Sequence, residues 1–143
     1  MPVSGQPSVR HRALWPVVVL VALACPLGAQ AAWSWLHLFP PLEWTWVQLG
    51  WWWVLAPVLE EWVFRGLWWN ELSRRGLPHW AAWWVTSLTF AAVHAPLVGW
   101  MAAWWLVPAL LLGGVRALGS PLWLCMLLHA WMNACLFVVD RWA

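Results

Sequence analysis

Five stretches of this chain are apolar for about 20 residues each, the length at which a helix crosses the hydrocarbon core of a bilayer. They are Ala13–Ala32, Trp46–Leu72, Trp80–Val98, Met101–Ala117 and Leu122–Val139. Together they fill most of the 143 residues and leave room for one domain. The chain is 64% hydrophobic and 8% charged, with a mean hydropathy of +0.69. A soluble chain this small needs more polar surface to cover its core, so lipid is the expected solvent. The expected fold is all-α, a polytopic membrane bundle of about five transmembrane helices. Residues 1–45 read as a polar tail, a first transmembrane helix and an outer interfacial loop, and residues 46–143 as the membrane core.

Turn signals separate the stretches. Trp33–Trp44 carries Pro40, Pro41 and Glu43 and reads as an interfacial loop, while Ser73-Arg74-Arg75-Gly76-Leu77-Pro78 is a tight turn. Ala95-Pro96 to Gly99 closes the third helix and Gly119-Ser120-Pro121 opens the fifth. With the N-terminus in the cytoplasm, Arg10, Arg12, Arg74, Arg75 and Arg116 all fall inside, and only Arg141, beside Asp140, falls outside. The reverse orientation misplaces five arginines, so N-in and C-out is expected. Arg10-His11-Arg12, an apolar run and Ala29-Gln30-Ala31 also have the three-part form of a secretory signal. A run this long that holds Pro16 and Pro26 favours a retained helix over cleavage after Ala31. The twenty Trp exceed what interface anchoring needs, so some must pack between helices or face lipid. Cys25, Cys125 and Cys135 lie in apolar runs without metal-binding spacing and read as small buried hydrophobes. The scattered Arg residues form no nucleic-acid patch.

Against this background three polar clusters stand out. Charge at the bilayer centre costs at least ~2.5–3.5 kcal/mol per residue, so an ionisable group there is first a functional candidate. The second stretch contains Glu60-Glu61-Trp62-Val63-Phe64-Arg65-Gly66. Glu61 and Arg65 are i, i+4 and share a helix face, which pairs them. Glu60 lies about 100° round the helix and has no local partner. Such a carboxylate suits the task of accepting and returning a proton. The third stretch holds Phe90-Ala91-Ala92-Val93-His94, and the fifth holds His129-Ala130-Trp131-Met132-Asn133, again with two polar groups at i, i+4. At 1.5 Å per residue, Glu60 lies about 21 Å from Arg74 and His94 about 24 Å from Pro78. On the same rule His129 and Asn133 lie about 12 and 18 Å from Pro121, so three helices place their polar residues in one layer.

Peptide hydrolysis needs a base for water and donors for the developing oxyanion. Glu60 with His94 can supply the first, and His129 with Asn133 the second. The three motifs, Glu-Glu-x-x-x-Arg, Phe-x-x-x-His and His-x-x-x-Asn, resemble those of the CPBP family, the CAAX-protease and bacteriocin-processing group of intramembrane endopeptidases. The Phe64-Arg65-Gly66 ending matches as well, and the resemblance runs from about Trp46 to Val139. It implies a helical membrane protease that cleaves near a substrate's C-terminus or beside a membrane segment. Glu60 and His94 would activate water, His129 and Asn133 would hold the oxyanion, and Arg65 would fix Glu61 without any cofactor. The implied partners are membrane lipid and a protein or peptide substrate. The resemblance to small bacterial members implies the bacterial inner membrane and either a bacteriocin-immunity role or removal of C-terminal sorting tags, the second being preferred.

Other readings stand beside this one. Glu60, His94 and His129 could bind zinc, since three protein ligands plus water is a common catalytic pattern, although no His-Glu-x-x-His pair is present. A non-catalytic membrane binding or immunity protein could keep the same polar pocket, and a structural polar network could staple helices together. A proton-coupled carrier also uses buried carboxylates, but five helices without a repeat suit one poorly. His11, His37 and His79 read as interfacial, Glu71 as surface charge beside Arg74 and Arg75, Asn70 as a packing hydrogen bond, and Arg116 and Arg141 as topology markers alone.

Overall fold

The computed structural model describes residues 9–36 and 45–142, and all their regular structure is helical. The order is α1 (Val9–Leu36), α2 (Trp46–Gly50), α3 (Ala56–Glu61), α4 (Trp69–Arg74), α5 (His79–Val98), α6 (Ala102–Ala117) and α7 (Leu122–Trp142). Two π-helical stretches, Trp51–Leu55 and Trp62–Trp68, join α2, α3 and α4 into one rod. The fold is all-α, as expected. One boundary moves: Trp33–Leu36 continues α1 rather than starting a loop. Residues 37–44, with His37, Pro40, Pro41 and Glu43, lie outside the described residues, as do the side chains of Arg10, His11, Arg12, Asp140 and Arg141.

Among the described residues no helix is long and apolar enough to cross a membrane. The rod expected to be one apolar helix is instead five short segments. Helices α5 and α7 have the length but carry His, Ser, Thr or Asn among their apolar residues. The surface is nevertheless strongly apolar. Val47, Leu23, Trp80, Leu88, Trp123 and Leu127 are all exposed, whereas Glu61, Arg65, Thr86, Ser87 and Ser120 are fully buried. Exposed apolar area on this scale marks a surface made for something other than water.

Pro57 accounts for the first π-helical stretch. Proline offers no N–H to the preceding turn and its ring crowds the carbonyl four residues back, and the widened turn falls just before it. The second stretch buries three consecutive residues, Phe64, Arg65 and Gly66, a wider inward face than an α-helical turn offers. Both helix ends at the short turns close alike. Gly76 and Gly119 have φ of 84° and 93°, with Leu77 N–H on the Leu72 carbonyl and Ser120 N–H on the Val115 carbonyl. In the first turn Glu71 accepts from Arg74 and Arg75. These exposed bonds contribute little stability. Asn70, expected to make a packing bond, is exposed, and so is His79, edge-on to Trp69 at 5.9 Å.

Packing holds the rod between two helix pairs. Leu14, Val18 and Val21 of α1 form a core with Leu124, Leu128 and Met132 of α7 and with Leu112 and Val115 of α6. Cys125 and Cys135 are buried apolar residues and Cys25 is half-buried, all three free. Helices α5 and α6 pack tightly at Gly113, where an added Cβ would stand 2.4 Å from Trp83 Cδ1 and 2.9 Å from Ser87 Oγ. Gly113→Ala should therefore destabilise the fold by ~1–3 kcal/mol, as overpacking does. Gly28→Ala, with nothing within 4 Å among the described residues, should leave it unchanged or more stable. Thermal unfolding of both variants in detergent tests the contrast.

Candidate active site

The adjacent carboxylates at the end of α3 face different neighbours. Glu61 is fully buried, and its Oε1 accepts from Arg65 Nη1 at 2.9 Å and from His129 Nδ1 at 2.9 Å. Arg65, also fully buried, donates through Nη2 to the Ala109 carbonyl of α6 at 2.8 Å. Ser87 of α5 donates to that same carbonyl at 3.0 Å. The guanidinium carbon stands 4.9 Å from the centre of the Phe90 ring. Glu61 Oε2 and Arg65 Nε are buried with no partner among the described residues, so the pair is held through Oε1 and the two Nη groups.

Glu60 is turned to the histidines. Its Oε2 lies 3.6 Å from His129 Nε2 and its Oε1 lies 4.0 Å from His94 Nε2. Each ring commits its other nitrogen elsewhere, His129 Nδ1 to Glu61 and His94 Nδ1 to the Phe90 carbonyl at 2.7 Å. A carboxylate and a carbonyl only accept, so both Nδ1 atoms carry hydrogen and both Nε2 atoms face Glu60. The gaps of 3.6 and 4.0 Å are too long for direct hydrogen bonds. The Glu60 side chain keeps 25% of its surface exposed against 0% for Glu61, so Glu60 is the accessible carboxylate of the two.

The structure thus brings Glu60, Glu61, Arg65, His94 and His129 together from the rod, α5 and α7. Asn133 it directs elsewhere: its Nδ2 donates to the Trp52 carbonyl at 2.8 Å, within the first π-helical stretch. Phe90 is the aromatic hub. It meets Phe64 at 5.2 Å, His94 at 4.7 Å and His129 at 5.9 Å between ring centres. Arg116 is more than a topology marker. Its Nε donates to the Arg65 carbonyl at 3.2 Å and its Nη1 to the Ser120 carbonyl at 2.6 Å, which ties the second π-helical stretch to α6. Sequence reasoning also passed over Ser87 and Trp105, whose indole stacks on His94. No pattern marked Trp105 among twenty tryptophans, whereas the pair Gly113-Gly114 was a readable sign of close helix packing. Among the described residues no group of three His, Cys, Asp or Glu side chains is placed to hold a metal ion.

A family model described as type II CAAX prenyl endopeptidase Rce1-like matches residues 42–135, well over half of the chain. The chain belongs to this family. As an Rce1-like endopeptidase it is an enzyme and a protease, and the resemblance carried by the three motifs is borne out. The Rce1-like family is membrane-embedded, which supports an integral membrane location and gives the exposed apolar surface its solvent. No curated protein and no solved structure matches the chain. The match takes in the whole rod, α5, α6 and α7 through Cys135, and so every residue of the cluster.

The buried ion pair makes a direct prediction. Arg65→Leu leaves the Glu61 carboxylate uncompensated and should cost ~3–5 kcal/mol of stability. In a Glu61→Gln background the same change should cost less by at least ~1 kcal/mol, because no charge is then stranded. Unfolding midpoints of the four proteins in detergent measure the coupling, and equal costs in both backgrounds would contradict it.

Proposed function

We propose that the chain is an intramembrane endopeptidase in which Glu60, aided by His94, activates the water that attacks a peptide bond. The observation that carries this reading is the position of Glu60. It is the accessible carboxylate of the pair, it lacks the Arg65 partner of Glu61, and two imidazole Nε2 atoms face it at 3.6 and 4.0 Å. Water seated between these groups passes a proton to Glu60 as its oxygen attacks the carbonyl carbon. The same proton then returns to the departing amine. Glu61 holds His129 in one tautomer through Nδ1 and leaves Nε2 turned into the site. A proton at Nε2 makes His129 a donor to the developing oxyanion, with Glu61 balancing its positive charge. Asn133 spends an amide hydrogen on the Trp52 carbonyl and so ties the first π-helical stretch to α7 beside the site.

The reading places α1, the rod, α5, α6 and α7 across the inner membrane with the N-terminus in the cytoplasm, as the arginine distribution favours. The substrate is a membrane-tethered protein cut near its C-terminus, with a C-terminal sorting tag as the specific case. Cleavage of a tagged CAAX-type or sorting-tag substrate in membranes, by wild type and by Glu60→Ala, each with and without a chelator, tests the chemistry. Glutamate-based hydrolysis predicts a loss of at least about 100-fold in the variant and no effect of the chelator. Loss on chelation that zinc restores would assign Glu60, His94 and His129 to a metal instead. Normal processing by Glu60→Ala would favour a non-catalytic membrane binding protein.

A further inference from the structure

Trp105 stands on α6, which carries none of the three motifs, yet its side chain reaches the site. Its indole lies nearly parallel to the His94 ring, with 10° between the planes and 5.2 Å between the centres. The hydrogen bond from His94 Nδ1 to the Phe90 carbonyl fixes one edge of the imidazole but leaves the ring free to tilt about that bond. A flat aromatic face laid along the ring removes this freedom. Phe90, at 4.7 Å and 38°, is tilted against His94 and does not substitute for it.

The indole is itself held in register with the catalytic rod. Trp105 packs against the buried cluster of Phe64, Phe90 and Ala109. Trp105 and Ala109 are i, i+4 on one face of α6, and the Ala109 carbonyl is the anchor for both Arg65 and Ser87. One face of α6 therefore carries both the acceptor that locates the guanidinium and the ring that locates His94. The groups set against His94 are Glu60 from α3, Phe90 from its own helix and Trp105 from α6.

We infer that Trp105 is a positioning residue that sets the plane of His94 and so aims Nε2 at Glu60. The inference rests on the reading of His94 as part of the water-activating pair. Such a residue acts on turnover and not on substrate binding.

The test uses the full chain in membranes and a quenched fluorescent farnesylated CAAX peptide. kcat and KM are measured for wild type, Trp105→Leu, Trp105→Phe and Trp104→Leu, the first two also in a His94→Ala background. Misaiming His94 should lower kcat about tenfold or more in Trp105→Leu, with KM changed by no more than about twofold. Trp105→Phe keeps a stacking face and should recover most of the rate. Trp104, exposed on the same helix, should be replaceable by Leu without effect. In the His94→Ala background Trp105→Leu should cause no further loss, since the residue acts only through that ring. Wild-type turnover by Trp105→Leu, or the same proportional loss with and without His94, would overturn the positioning role. Undiminished turnover by His94→Ala, or none by wild type, would overturn the catalytic reading beneath it and the inference with it. Thermal midpoints of the same proteins separate misfolding from misaiming, and Trp105→Phe keeps the test open should Trp105→Leu fail to fold.

Discussion

A carboxylate and a guanidinium withdrawn completely from solvent must satisfy one another, and everything else in this molecule is arranged around that requirement. Glu61 and Arg65 form such a pair across one turn of the rod, with side chains at 0% exposure. A buried ion pair contributes little net stability and is costly to break, which makes it a fastener and not a driving force. What it fastens is informative. Arg65 reaches across to the Ala109 carbonyl, and Glu61 reaches across to His129, so one pair joins the rod to α6 and α7. Glu60, one residue earlier, then has its direction fixed by its neighbour.

The backbone serves the same end. Each π-helical stretch of the rod offers a carbonyl to a side chain from another helix, Trp52 to Asn133 and Arg65 to Arg116. Stretches of this kind are uncommon and tend to fall at functional sites. Here they flank the two carboxylates on both sides. The rod gives up regular helical geometry, and with it the form of a simple spanning helix, while the family to which the chain belongs is membrane-embedded. Asn133 on Trp52 and Arg116 on Arg65 each give such a stretch a partner on a neighbouring helix.

Much of this was legible in the residues themselves, for physical reasons. The i, i+4 spacing of Glu61 with Arg65 predicts their pairing, and the surrounding apolar residues predict that Glu60 stands apart from it. Gly and Pro placed the turns at Gly76-Leu77-Pro78 and Gly119-Ser120-Pro121 within a residue or two of where the helices stop. Other features leave no periodic trace. Pro57 announces a disturbance but not whether the helix will kink or widen. The role of Trp105 depends on how α6 lies against α5, which local spacing does not encode. His129 was expected at the oxyanion or, in the zinc alternative, beside Glu60 and His94, and the fold sets it between the two carboxylates, bonded to Glu61 through one nitrogen and facing Glu60 with the other. Arg116 reads as a charge at a membrane edge until the fold sets the Arg65 carbonyl beside it.

In the proposed mechanism the two adjacent glutamates do different work, Glu61 holding the structure and Glu60 performing the chemistry. Glu60→Gln and Glu61→Gln keep size and hydrogen-bonding shape while removing charge, so the deciding measurement is the thermal midpoint and the cleavage rate of each, taken on the same preparations. The account predicts that Glu60→Gln unfolds at or above the wild-type temperature and does not cleave, whereas Glu61→Gln unfolds at a clearly lower temperature. Equal destabilisation by the two substitutions, or cleavage that survives in Glu60→Gln, would contradict it.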